Sequence, residues 1–344
     1  FKVKHMNFKS LPSIFLPFLL ASFANLYLVS CNQAMHGEQN AVWVESAYFR
    51  GFIPSTNELI SEETILQLGK NLTKYHIKYA YIFSGPYQSD GHLPEYAFSN
   101  TAIATVHILK QNYPNLVVLP WVGGVQDVEV FLENPTWVNN AIADTRKLVN
   151  TLNVNGIHVD LEYINNGDLY VDSTVNNFKP GDSINYGANV NSFHKRLREA
   201  LPNTFISSVV LAPTPNTKPW KRKTSLNELV ELTKYVDQIS FLYYDTHISS
   251  QSLFRADCGA LIQDIAFLKR KRNIEYLIAI GTFINEPELQ NYRNMEIENI
   301  PNTLATIKTE LTRLYPDQKI VDGIAIYCNW QTDQKEWNEF HDEW

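Results

Sequence analysis

Cysteine is almost missing from this chain of 344 residues, which has three: Cys31, Cys258 and Cys328. That excludes the disulfide framework by which small exported domains make up for a thin core, and a single Cys258–Cys328 bridge is the most that is open. An excess of positive charge is missing too. Lys and Arg number 29 against 36 Asp and Glu, for a net charge of −7, and the basic runs are the short KRK stretches at 221–223 and 269–271. A nucleic-acid partner is therefore not expected. Neither G-x-G-x-x-G nor a P-loop pattern occurs, which removes the usual nucleotide-binding loops. No His or Cys pair stands at ligand spacing, so neither a metal nor another cofactor is expected. What the chain has in quantity is apolar and aromatic side chain: 44% hydrophobic residues, with 18 Tyr, 18 Phe and 7 Trp. That is enough to bury a sizeable core, and it excludes a disordered chain.

The N-terminal region reads separately from the rest. Lys2, Lys4 and Lys9 precede the apolar run LPSIFLPFLLASFANLYLVS at 11–30, which stops at Cys31. This is the layout of a secretion signal, and Leu28-Val29-Ser30-Cys31 is similar to a bacterial lipobox, whose cysteine is acylated and becomes the first residue of the mature chain. An uncleaved anchor is the rival, since a spanning helix needs about 20 apolar residues. Pro12, Pro17 and the cysteine itself favour cleavage. The expectation is an exported protein held to the lipid bilayer through Cys31, with residues 1–31 as its signal and 32–344 as one monomeric domain.

From residue 41 onward, β-branched apolar runs alternate with amphipathic stretches, the signature of repeated βα units around a parallel sheet. Strands are expected at 41–49, 77–84, 116–124, 156–163, 205–213, 238–245, 276–283 and 323–330. Helices are expected at 61–75, 101–112, 134–152, 189–200, 224–235, 258–272, 301–314 and 333–343, several with capping residues in front: Ser61, Asn302-Thr303 and Thr332-Asp333. Eight units predict the α/β class and a (β/α)8 TIM barrel. The long polar connections 84–100 and 163–188 each follow a strand and are rich in Tyr, Asn and Asp. They are expected on the barrel face that carries chemistry, as sugar-lining loops.

The stretch NGIHVDLEY at 155–163 puts His158, Asp160 and Glu162 at every second position of an apolar run. On a strand all three share one face. A polar edge strand would explain the alternation, but buried carboxylates are rare unless paired or functional. Other stretches add to it. LPWVGGV at 119–125 carries Trp121 and a Gly123-Gly124 pair that reads as a tight strand-to-loop turn; QISFLYYDTH at 238–247 carries Tyr244-Asp245; GIAIYCNW at 323–330 carries Tyr327 and Trp330. Phe241 and Tyr243 alternate away from the pocket into the helix layer.

Together these stretches resemble glycoside hydrolase family 18, whose fourth strand reads D-G-x-D-x-D-x-E and stands here as Asn155-Gly156-Ile157-His158-Val159-Asp160-Leu161-Glu162. The last carboxylate pair matches and the first two acids do not. Trp121 stands for the Ser of the third-strand S-x-G-G, and Leu242 for the Met of M-x-Y-D. The resemblance implies cleavage of β-1,4 bonds next to N-acetylglucosamine in chitin, peptidoglycan or an N-glycan core, with the substrate's own acetamide as nucleophile. Glu162 would be the general acid and base, its pKa raised by apolar surroundings and by Asp160. Asp160 would orient the acetamide and stabilise the oxazolinium, Tyr244 would hold the acetamide oxygen, and Asp245 would bind a sugar hydroxyl. Tyr327 or Trp330 would stack beneath the ring, with Tyr48, Trp121 and His158 as further binding candidates. The departures open two questions. A cationic His158 would lower the pKa of Asp160, where a second acid would raise it, and a buried core histidine is the alternative. A barrel that binds such glycans without cleaving them is the rival function. A glycosidase acting without an acetamide is the weaker one, and would need Asp245 as its second carboxylate.

Overall fold

The computed structural model describes residues 38–162, 182–211, 224–282 and 293–344. Eight parallel strands close in chain order into a barrel: β1 (Asn40–Val44), β2 (Ile77–Pro86), β3 (Val117–Val125), β4 (Gly156–Glu162), β5 (Phe205–Leu211), β6 (Gln238–Leu242), β7 (Glu275–Gly281) and β8 (Gly323–Tyr327). The expected TIM barrel is thus the fold. Around it run α1 (Ala47–Arg50), α2 (Glu62–Lys74), α3 (Asn100–Asn112), α4 (Pro135–Leu152), α5 (Asp182–Ala200), α6 (Leu226–Leu232), α7 (Gln251–Lys271), α8 (Ile300–Leu314) and α9 (Gln334–Glu343). No helix among the described residues is long and apolar enough to cross a membrane.

Strand periodicity divides the core in two. Outward side chains such as Val42, Ile82, Val159, Phe241 and Tyr243 pack with the helices. The inward set is Ala41, Trp43, Tyr79, Tyr81, Leu119, Val209, Leu211, Leu242, Tyr244, Leu277, Ala279 and Ala325, with Trp121 and Tyr327 packed on it. Phe241 and Tyr243 therefore face the helix layer, as their parity requires. The inward set is unusually polar at its base, where Gln238, Ser207 and Ser240 are fully buried.

Helix boundaries follow the caps. Ser61 accepts from Thr64 N, and Asp333 forms a reciprocal capping box with Glu336. The expected Asn302 cap is not used: Asn299 accepts from Asn302 N instead, three residues earlier, and Pro301 occupies the first turn where its missing N–H costs nothing. α7 starts at Gln251 behind Ser250, seven residues before the expected start at 258. The first strand stops at Val44 because Ser46 opens a helical turn that Gly51 closes at φ 82, so Tyr48 lies on α1 and not on a strand.

Connection 84–100 follows β2, and several of its residues bind the helix layer. Tyr87 is buried, with its hydroxyl 2.6 Å from that of Thr145, and Trp137 Nε1 donates to Gln88 O at 3.0 Å. Asp144 accepts from Leu93 N at 3.0 Å. Most of connection 163–188, and Cys31 with the signal-like segment, lie outside the described residues. Cys258 and Cys328 are buried thiols in separate clusters and do not bridge each other.

Candidate active site

The inward face of β4 forms a gradient from floor to mouth. His158 is wholly buried, while Asp160 and Glu162 are partly exposed. Side chains two apart on a strand share a face, so the trio stands in one column with Glu162 at the end of the strand. β3 runs beside it in register, with Trp121 opposite His158, Gly123 opposite Asp160 and Val125 opposite Glu162. Trp121 Nε1 donates to Asp160 Oδ2 at 3.2 Å, while its ring leans on Phe83 at 4.4 Å between centroids. A residue expected as a sugar contact is thus a hydrogen-bond donor to the carboxylate beside it.

Tyr244, two residues beyond the end of β6, is buried with its ring stacked on Tyr327 at 5.2 Å and 6°. Burial pushes its hydroxyl well above the ordinary range, and Tyr327, Glu162, Asp160 and Asp245 add to the effect. The phenol therefore stays protonated and serves as a donor, and it is close enough to both β4 carboxylates to feel them. Trp43 meets Tyr327 edge-on at 5.8 Å, and Trp330 meets it edge-on at 5.7 Å from the other end of the loop. Trp330 is 37% exposed, an open indole at the mouth, whereas Tyr327 already has Tyr244 against one face. The Tyr327–Cys328 peptide is cis.

Three expected site residues are placed differently. Asp245 is 3% exposed and sits at φ 51, and Arg293 Nε donates to its Oδ1 at 2.5 Å; the side chains of this ion pair are only 5% and 4% exposed. It is engaged by a cation and closed from solvent, while still near enough to Tyr244 to act on that hydroxyl. Arg293 escaped sequence reasoning because a lone arginine in a polar loop carries no pattern. Replacing Arg293 with Met leaves the Asp245 charge buried and uncompensated, a loss of about 3–5 kcal/mol that urea denaturation of the variant measures. Tyr48 packs on the helix–sheet layer, away from the inward cluster, and burial followed by the nearby Glu45 pushes its hydroxyl up to about 12. His158 is sealed beneath the pocket, stacked on Tyr81 at 3.7 Å and 5°, with burial driving its pKa well below the ordinary value. Of the two readings left open for this residue, the buried core histidine is the one its surroundings support, since burial disfavours the imidazolium.

Glu45 was missed. It lies one step beyond β1 with the parity of inward Ala41 and Trp43, a signal that was available, and burial raises its carboxyl pKa.

A closed parallel barrel with a carboxylate pair at the C-terminal end of one strand, a protonated tyrosine beside it and indole and phenol rings at the mouth defines a barrel hydrolase site of the kind that handles sugars. Residues 48–343 match the glycosyl hydrolases family 18, and the chain belongs to that family. Its fold is similar to that of a Group IV chitinase from Ostrinia furnacalis, at 11% identity over 88% of this chain and 98% of that one, with a TM-score of 0.59. A chitinase from Bacteroides thetaiotaomicron is similar at 12% identity over 89% and 94%, TM-score 0.54. The spore cortex-lytic enzyme SleL of Bacillus cereus is similar at 10% identity over 90% and 75%, TM-score 0.57. No curated protein matches the sequence.

Proposed function

We propose that this chain is a retaining glycosidase that cleaves β-1,4 bonds next to N-acetylglucosamine in chitin, peptidoglycan or an N-glycan core. Glu162 gives its proton to the glycosidic oxygen as that oxygen's bond to the anomeric carbon breaks, and the substrate's acetamide oxygen bonds the same carbon. Asp160 faces the acetamide N–H and the positive oxazolinium. The protonated Tyr244 hydroxyl donates to the acetamide oxygen, and Tyr327 with Trp330 supplies the apolar floor. Water then opens the oxazolinium, returning its proton to Glu162 and leaving the anomeric configuration unchanged.

The observation that carries this reading is the neighbourhood of Tyr244, a buried protonated donor within the electrostatic reach of both Glu162 and Asp160. Asp245, the residue that a two-carboxylate scheme would need, is tied to Arg293. That engagement favours a reaction in which the substrate brings the nucleophile over one that uses Asp245. Export and tethering through an acylated Cys31 complete the proposal; they are supported by residues 1–31 of the sequence, and the mass of the mature N-terminal peptide tests them.

Incubation with chitin oligomers, peptidoglycan and an N-glycan core should give new reducing ends on at least one, with the β-anomer formed first by proton NMR. Binding of all three without new reducing ends would make the protein a glycan-binding barrel instead.

A further inference from the structure

Where β3 passes Asp160 it is reduced to a glycine. The two strands pair in register, and the residue directly across from Asp160 is Gly123, which offers it no side chain. Nor can one be added there, since a Cβ at Gly123 would stand 1.8 Å from the Asp160 carbonyl oxygen. The β3 partner of that carboxyl comes from the pair below. Trp121 stands across from His158, and its indole reaches up to donate from Nε1 to Asp160 Oδ2 at 3.2 Å. The ring is held from its other neighbour as well: Phe83 pairs with Trp121 across β2 and β3 and meets it at 4.4 Å and 55°.

An indole nitrogen only donates, whereas a hydroxyl or a carboxyl in the same place could give or take a proton. The oxygen it meets must therefore present a lone pair. A hydrogen bond given to a carboxylate favours the charged form, and bonds of this charge-assisted kind are the stronger ones. A tryptophan packed into a core needs some acceptor for its N–H, and a main-chain carbonyl would do; here the acceptor is one of the two carboxylates of the site. The surrounding groups pull the other way. The titratable ones are Glu162 and His158 on β4 itself, Tyr81 on β2 stacked on His158, Tyr244 and Asp245 just past β6, Tyr327 on β8 and, at the mouth, Glu45 one step past β1. The inward residues Val209 and Leu211 of β5 and Ala279 of β7 do not titrate. Burial disfavours a charge on His158, and the Arg293 guanidinium is committed to Asp245. Neighbouring acids make each carboxylate harder to ionise, so the indole works against them.

We propose that Trp121 is a positioning residue: its indole N–H pins one oxygen of Asp160 and keeps that carboxyl charged, so that Asp160 meets the acetamide N–H and the oxazolinium as a fixed anion. The inference rests on the proposed reaction. It extends to Glu162, because a charged Asp160 two residues away favours the protonated form of Glu162, which is the form that donates. Trp121 thus acts on the general acid through Asp160.

The test compares pH profiles. Trp121→Phe keeps a ring against Phe83 and removes the donor, so the pKa of Asp160 rises. On the glycan that responds, the acid limb of kcat/KM, set by Asp160, should move up by about one pH unit, the scale of one hydrogen bond made to one protonation state. The basic limb should stay, because Asp160 is charged there in both proteins. The loss should fall on kcat with KM little changed, since the oxazolinium forms only after substrate is bound. Trp121→Gln is the rescue: its amide nitrogen stands at the same covalent distance from Cβ as the indole nitrogen, carries N–H and does not titrate, and it should bring the acid limb partway back. A packing role alone predicts the reverse, with Phe the milder substitution and neither limb moved. A second measurement decides if Trp121→Phe does not fold. In proton–nitrogen NMR of the wild type, one indole N–H should shift through a titration that is lost in Asp160→Asn. Coincident acid limbs in the wild type and Trp121→Phe overturn the proposal, and so does the absence of an indole signal that follows Asp160. A protein whose indole follows Asp160 but which releases no reducing ends from any glycan sinks the proposed reaction and leaves the hold of Trp121 on Asp160 in place.

Discussion

Replacing Glu162 with Gln lowers kcat on the responsive glycan by about a hundredfold or more, with oligosaccharide affinity little changed. The substitution keeps the shape of the side chain and its capacity to accept a hydrogen bond, and it removes the transferable proton. Glu162 stands at the end of β4, partly exposed, with Tyr244 near enough to feel its charge. In the proposed reaction the lost proton is the one the leaving oxygen needs. The comparison that isolates this role uses an aryl glycoside whose phenol departs with little help. The deficit in its first step should be much smaller than on a natural sugar leaving group, because protonation there contributes less to the transition state. Steady-state rates on both substrates, with affinity from calorimetry, check it. An unchanged rate on the natural substrate would remove Glu162 from the mechanism.

The fold was legible because each of its eight units repeats the same two signals, a β-branched run and an amphipathic helix, and errors in one unit do not spread to the next. Strand positions were read to within a few residues except for the first, where alternation continues through Glu45 and Tyr48 although Ser46 and Gly51 turn the chain into α1. The column on β4 was legible for a similar reason: parity alone puts His158, Asp160 and Glu162 together. What depended on contact between strands was not. That Trp121 donates to Asp160 follows from the register of β3 against β4, which no local pattern encodes. The Asp245–Arg293 pair joins two loops separated by 48 positions. The surroundings of His158, buried under Tyr81 and bonded to Ser207, come from β2 and β5, and the sequence alone left open whether that residue is a cation or a core histidine.

Gly123→Ala should be the most damaging small substitution in the barrel. The Gly123-Gly124 pair reads from sequence as a turn, yet both residues lie within β3, and Gly123 is paired directly with Asp160. A Cβ at Gly123 would stand 1.8 Å from the Asp160 carbonyl oxygen and 2.5 Å from its carbonyl carbon, and both are backbone atoms. No rotamer relieves a clash with a strand, and β4 cannot retreat freely because its other edge is paired to β5 over Gly156–Val159. The two strands must part at the level of the β4 carboxylates. Overpacking of this kind costs about 1–3 kcal/mol where side chains can adjust, and a backbone obstacle belongs at or above the top of that range. The same displacement pulls Trp121 Nε1 away from Asp160 Oδ2, now at 3.2 Å, so activity should fall further than the folded fraction does. Gly124→Ala is the control. Its obstacle is the Cβ of Glu129 at 2.8 Å, and its φ of +141 strains an added side chain at the loop end of the strand. That variant should lose stability while keeping the activity of each folded molecule closer to wild type. Denaturant midpoints and kcat normalised to folded protein separate the two outcomes: if Gly123→Ala loses activity only in proportion to folding, the close approach of β3 serves the barrel and not the site.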